Sequence, residues 1–103
     1  MLREYDIYVP LNYNDGTPVD ARKFQKLQKT LLSHFTGLTV FPQPQRGYWK
    51  ESGVTYEDEI VLYRVVTRKS ASARQFLKKL KKQLESDFRQ EKILIVEREV
   101  KEL

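Results

Sequence analysis

The chain contains no cysteine, which removes disulfides, thiolate catalysis and thiolate-held metal together. It has a single histidine, too few ligands for a zinc site on its own. No apolar run approaches membrane-spanning length. The opening MLREYDIYVPL carries charges where a secretory leader needs an unbroken apolar stretch. The sequence offers no phosphate-cradling glycine loop, nucleophile elbow or metalloprotease pattern. Asn12 to Gly16, NYNDG, fails as a calcium loop because the alternating oxygen ligands would fall on Leu11 and Tyr13. The expectation from these absences is a soluble cytoplasmic protein with no metal and no cofactor.

What is present is a globular composition. With 40% hydrophobic and 32% charged residues over 103 positions, the chain reads as one domain, 1–103, with a core of its own. The net charge of +5 is unevenly placed: residues 68–89 hold eight Lys/Arg against two Asp/Glu, and the remainder eleven against twelve. The basic excess therefore belongs to one segment, which must be weighed as a nucleic-acid or acidic-partner surface.

Residues 4–11 alternate, with Tyr5, Ile7, Val9 and Leu11 on one side, as a half-buried strand requires. Turn chemistry follows at NYNDG. Thr17, Pro18 and Asp20 then read as a helix start, with Phe24, Leu27, Leu31 and Phe35 at helical spacing, Leu32 beside them, and Gly37 as the stop. LTVFP, 38–42, reads as a strand that Pro42 and Pro44 confine to a sheet edge. Ser52-Gly53 predicts a hairpin turn leading into a long return strand through EIVLYRVVT, apolar on both sides and therefore central. SASARQFLKKLKKQLESDF is a second helix, capped by Ser70 or Ser72, with Ala73, Phe76, Leu77, Leu80, Leu84 and Phe88 as its buried stripe. KILIVEREV supplies the last strand. The order β-α-β-β-α-β with an edge-like second strand predicts an α+β, ferredoxin-like split βαβ sandwich with a long β2-β3 hairpin, whose arm is residues 41–59.

In that fold the helices cover one sheet face only. Whichever set faces away, Ile60/Leu62/Arg64/Val66 or Val61/Tyr63/Val65, is rich in apolar groups, and a contiguous apolar patch of several hundred Å² marks an interaction site. Covering such a patch offers on the order of ten kcal/mol before association costs. The expectation is a homo-oligomer, a dimer packed sheet on sheet; the alternative is an arm folded back over its own sheet.

Candidate sites follow from side-chain chemistry. Arg46, Tyr48, Trp49 and Tyr56 place flat rings and a guanidinium on the arm, suited to a partner or a ring-bearing ligand, or to plugging the core end and clasping a second subunit. Arg68, Lys69, Arg74, Lys78, Lys81, Lys82 and Arg89 could meet phosphates, or form a solvated helix face. Glu57 and Glu59 share a strand face, where paired carboxylates can do acid-base work or hold a hard cation, or simply charge a strand entrance. His34 could be a base, although the last turn of a helix suits a cation without catalysis. Together His34, Tyr63 and Glu59 are the proton carriers available to a third reading, a cofactor-free dimeric ferredoxin-like enzyme. The lead reading is a non-enzymatic oligomeric binding or regulatory domain that uses the arm.

Gly37-Leu38-Thr39-Val40, then Gly47-x-Trp49, Gly53 and an acidic residue before an apolar strand resemble a family of small, uncharacterised bacterial ferredoxin-like proteins over roughly residues 37–67. The resemblance implies the same sandwich and a shared role for Trp49, and carries no catalytic residue. The architecture is also similar to that of the nitrogen-regulatory PII proteins, whose corresponding loop docks partners, at the level of fold alone.

Overall fold

Alternating side chains over Arg3–Pro10 make the first strand, β1, and the computed structural model that shows it describes residues 2–103. The remaining elements are α1 Ala21–His34, β2 Thr39–Glu51, β3 Val54–Thr67, α2 Ser70–Asp87 and β4 Ile95–Glu99. One sheet of order β2-β3-β1-β4, antiparallel throughout, gives the ferredoxin-like α+β architecture. Tyr5, Ile7 and Val9 lie opposite Val65, Tyr63 and Val61, and these six are buried against Leu27 and Leu31 of α1 and Ala73, Leu77, Leu80 and Leu84 of α2. Both helices therefore cover that face. Among the described residues no helix is long and apolar enough to cross a membrane.

Four local expectations are corrected. The first helix begins at Ala21, capped by the Asp20 side chain. Thr17 is engaged by Asp15, and Tyr13 and Val19 pair back across the loop with Thr17 and Leu11, so Pro18 sits in a bridge rather than a helical turn. Gly37 is not a left-handed stop, because the chain leaves α1 through an extended Phe35. Leu32 is exposed, since it lies about 100° round the helix from buried Leu31. Neither Ser70 nor Ser72 caps α2: Lys69 holds the cap position without a side-chain bond.

Pro42 and Pro44 behave as their missing donors require. The β2-β3 pairing breaks between Phe41 and Gln45 and then resumes to Glu51↔Val54. Since β1 ends at the Pro10↔Ile60 pair, residues 46–59 form a two-stranded ribbon projecting past the sheet. Ser52 and Gly53 turn it with φ of 51° and 79°, the paired positive angles of a type I′ turn. Gly53→Ala should cost about 1 kcal/mol locally. Faster amide exchange along 46–59 would register it without a matching change in the central strands, and Ser52→Asn should slow the same exchange.

Candidate interaction surface

The register fixes what the uncovered face carries. Ile60, Leu62, Arg64 and Val66 of β3 stand opposite Pro10, Tyr8, Asp6 and Glu4 of β1. Across β1, Glu4 and Asp6 meet Arg98 and Val96 of β4, and on the other side Arg64 and Leu62 meet Thr39 and Phe41 of β2. Asp6 is only 1% exposed. Arg64 donates to both its oxygens, Nε at 2.7 Å and Nη2 at 3.0 Å, and Arg98 Nη1 adds a third bond at 2.7 Å. Glu4 completes the group, 3.0 Å from Arg98 and 3.3 Å from Arg64. The Phe41 ring lies over the Arg64 guanidinium at 4.9 Å. The Arg64 hydrogen bonds hold the Asp6 carboxyl below the usual aspartate range against its burial, with Arg98 assisting.

This quartet alters the expected contiguous apolar patch. The outward face is a charged centre spanning three strands with apolar groups on its flanks. Leu62, although outward, is only 7% exposed, standing between Tyr8 and Phe41 in the register. Tyr8, Phe41, Ile60 and Val96 are half-buried, while Val66 and Leu94 are exposed. Reading β3 alone missed the quartet. Its signal was the placement of Glu4, Asp6, Arg64 and Arg98 on outward positions of three strands.

The arm is two-faced. Arg46, Tyr48 and Lys50 lie opposite Glu59, Glu57 and Thr55, and Arg46 Nε is 2.9 Å from Glu57. Its other face carries Trp49 opposite Tyr56, Gly47 opposite Asp58 and Glu51 opposite Val54, and through Ile60 it runs into the open face of the sheet. Trp49 and Tyr56 stack, centroids 5.7 Å apart and 19° from parallel, yet remain 46% and 44% exposed. Burial pushes the Asp58 carboxyl up, opposed by a bond from the Glu59 backbone and reinforced by the Glu59 charge. The arm thus separates Arg46 and Tyr48 from Trp49 and Tyr56.

The other candidates do not converge. Tyr63 is buried on the helix side of the sheet, where burial raises its hydroxyl pKa. Glu59 is exposed at the base of the arm. His34 is exposed and stacked on Phe76, 3.8 Å between centroids and 7° from parallel. No hydrogen bond joins the three among the described residues. Two surface depressions of about 250 and 230 Å³ are lined by other residues: Gln25, Gln28, Lys29 and Leu32 on α1, and Thr36 to Thr39 with Arg64 and Val66 at the end of the open face. Among the described residues no His/Cys/Asp/Glu cluster is placed to hold a metal.

The basic segment is partly neutralised. Arg74 is bidentate to Glu97 at 2.6 and 2.9 Å, Arg68 bonds Glu102 at 2.8 Å, Lys81 lies 3.8 Å from Glu85, and Arg89 covers the Tyr13 ring. Lys69, Lys78, Lys79 and Lys82 have no ion pair among the described residues. Tyr5 also donates to Glu97 at 2.7 Å. Arg74 first and Tyr5 second hold the Glu97 carboxyl down to about 2. Burial first, and then the Glu97 bond, pushes the Tyr5 hydroxyl up to about 12.

No family model matches the chain, and no curated protein matches it. Solved structures do. A CutA1 mutant from Pyrococcus horikoshii is 19% identical with a TM-score of 0.60 over 100% of this chain and 86% of its own. The CutA of the same organism in guanidine hydrochloride is 19% identical with a TM-score of 0.59, over 100% and 87%. A phage SAM lyase in complex with S-methyl-5′-thioadenosine is 18% identical with a TM-score of 0.66, over 95% and 81%. At these identities the likeness is one of fold alone, a ferredoxin-like sandwich. No family model supports the Gly-Leu-Thr-Val and Gly-x-Trp pattern.

Removing the buried carboxylate tests the quartet. Asp6→Asn leaves two guanidiniums facing a neutral amide and should destabilise the chain by about 2 kcal/mol, less than a fully buried pair because both arginines are partly wet. The folded-state pKa of Asp6 lies below its ordinary 3.8, so its contribution is present above that value and lost as pH falls through the folded value. Glu97 acts in the same direction between its ordinary 4.5 and about 2. Denaturant midpoints measured from pH 6 to pH 2 should fall for the native chain, with a smaller fall for Asp6→Asn.

Proposed function

We propose that the chain is a small binding or regulatory domain without a catalytic centre, which assembles with copies of itself through the open sheet face and recognises a partner with the arm at 41–59. The observation that carries this reading is the apolar lane of that face. It comprises exposed Trp49, Val54, Tyr56, Val66 and Leu94 and half-buried Tyr8, Phe41, Ile60 and Val96, flanking the charged quartet at Arg64. Exposed apolar surface on this scale, rimmed by charge, is what subunit contacts bury. Of the chemically capable side chains, Tyr63 is buried in the core while His34 and Glu59 are exposed, and no hydrogen bond joins the three among the described residues, which favours binding over catalysis. That an enzyme, the phage lyase, uses a similar fold carries no site across. Sedimentation should give a mass above the 12.3 kDa of one chain. Val66→Lys with Leu94→Lys, both at exposed positions, should weaken association about tenfold or more without loss of fold. A native chain that stays monomeric at every concentration would end the oligomer half of the reading.

One observation favours a second reading. Lys78, Lys79 and Lys82 fall on one exposed stripe of α2 with no carboxylate partner, as phosphate contacts require. Binding of single- or double-stranded nucleic acid at low salt should then weaken steeply as salt rises and disappear in a Lys78→Glu, Lys82→Glu chain. No mobility shift at low salt would remove this reading.

A further inference from the structure

β2 is one of the two outer strands of the sheet, and an outer strand with free backbone groups is a template for another chain. Pro42 and Pro44 blunt it near the sheet by removing donors. From Gln45 to Glu51 nothing does: the stretch has no proline, it is regular in register with β3, and its outer edge has no partner among the described residues.

The side chains beside that edge are sorted by charge. Arg46 and Lys50 lie on one face with Glu57 and Glu59, where Arg46 is ion-paired. The opposite face has Glu51, Asp58, Trp49, Tyr56, Val54 and no cation, within a chain whose net charge is +5. Asp58 has no cation within ion-pair distance among the described residues, its carboxyl meeting only the Glu59 backbone, whereas Glu4, Asp6, Glu57, Glu97 and Glu99 each meet an arginine. Its burial already disfavours the bare carboxylate.

Gly47 stands between this carboxylate and the open edge. Glycine weakens a strand, and here the fold does not demand it. Its φ is not positive, and an added Cβ would meet only the Asp58 carbonyl oxygen at an ordinary 3.9 Å. What the missing side chain does is leave a passage over β2 from its outer edge to Asp58, flanked by the Trp49 ring.

We propose that the arm edge at 45–51 receives an extended basic segment of a partner protein as an added strand, with an arginine or lysine of that segment crossing Gly47 to the Asp58 carboxylate beside Trp49 and Tyr56. Backbone bonds along the edge give the segment its direction, and alternate side chains fall on the aromatic face. A cation there gains the ring faces as well as the carboxylate. This rests on the reading of the arm as a recognition element and names the chemistry of its partner.

The only tryptophan in the chain, Trp49, reports the site. The full chain is titrated with the peptide Thr-Arg-Thr-Arg-Thr-Arg, and in parallel with Thr-Glu-Thr-Glu-Thr-Glu, while tryptophan emission is followed. The expected result is a saturable change with the arginine peptide alone, weakened about tenfold or more by Asp58→Asn. Gly47→Val, which suits a strand and closes the passage, should weaken binding similarly while leaving the fold intact, and Asp58→Lys should shift the preference toward the glutamate peptide. Equal response to both peptides, no saturable change, or full affinity in Gly47→Val and Asp58→Asn would overturn the proposal. Emission that changes with protein concentration alone, and no response to peptide, would show the edge taken by a second copy: it overturns the basic-segment assignment and leaves self-assembly standing.

Discussion

A buried carboxylate held by two guanidiniums is the constraint around which the sheet is arranged. Asp6 is almost wholly excluded from water, an arrangement that would be prohibitive for a charge without partners. Arg64 from β3 and Arg98 from β4 reach it from either side, so the interaction spans the three strands β3-β1-β4. It also fixes their register. A slip by one residue would carry Asp6 to the helix side, into the core position now held by Tyr5 or Ile7, and strip both arginines of their acceptor.

The same quartet shapes what can cover the open face. Two carboxylates, Glu4 and Asp6, balance two guanidiniums, Arg64 and Arg98, and Phe41 shields one of these. A covering surface therefore need not supply a counter-charge at the centre. It has only to match apolar flanks at Tyr8, Ile60, Val66, Leu94 and Val96. A second copy offers those same flanks and the same internally neutral centre, which suits a self-complementary two-fold contact, where like groups would otherwise oppose one another.

The sequence carried the architecture because its signals were local and mutually consistent. Period two at Tyr5, Ile7 and Val9, the helical stripe of Ala73, Leu77, Leu80 and Leu84, and the prolines at 42 and 44 each name an element or its place, and the sheet order followed from them. The helix starts were legible only to within a few residues. Asp15 captured Thr17, and Asp20 then took the cap, a competition between near-identical polar groups that spacing does not decide. The quartet was less visible for a different reason. Its members are separated by up to 94 positions, and only the register of three strands brings them together. The arm's division was hidden in the same way: Arg46, Tyr48, Trp49 and Tyr56 looked like one set until cross-strand pairing placed Trp49 with Tyr56 and Arg46 with Glu57.

An isolated two-stranded ribbon is marginal in water, so the arm beyond Ile60 must be held by its own contacts. The structure supplies three: the left-handed pair at Ser52-Gly53, the stacked rings of Trp49 and Tyr56, and the Arg46–Glu57 pair. None of these draws on Asp58, Gly47 or the outer backbone of residues 45–51. Asp58 has no cation beside it among the described residues, and a Cβ added at position 47 would meet only an ordinary contact. Their arrangement makes sense when the third strand is counted: it would convert a marginal ribbon into a three-stranded sheet, and the stability missing from the free arm would then depend on its partner.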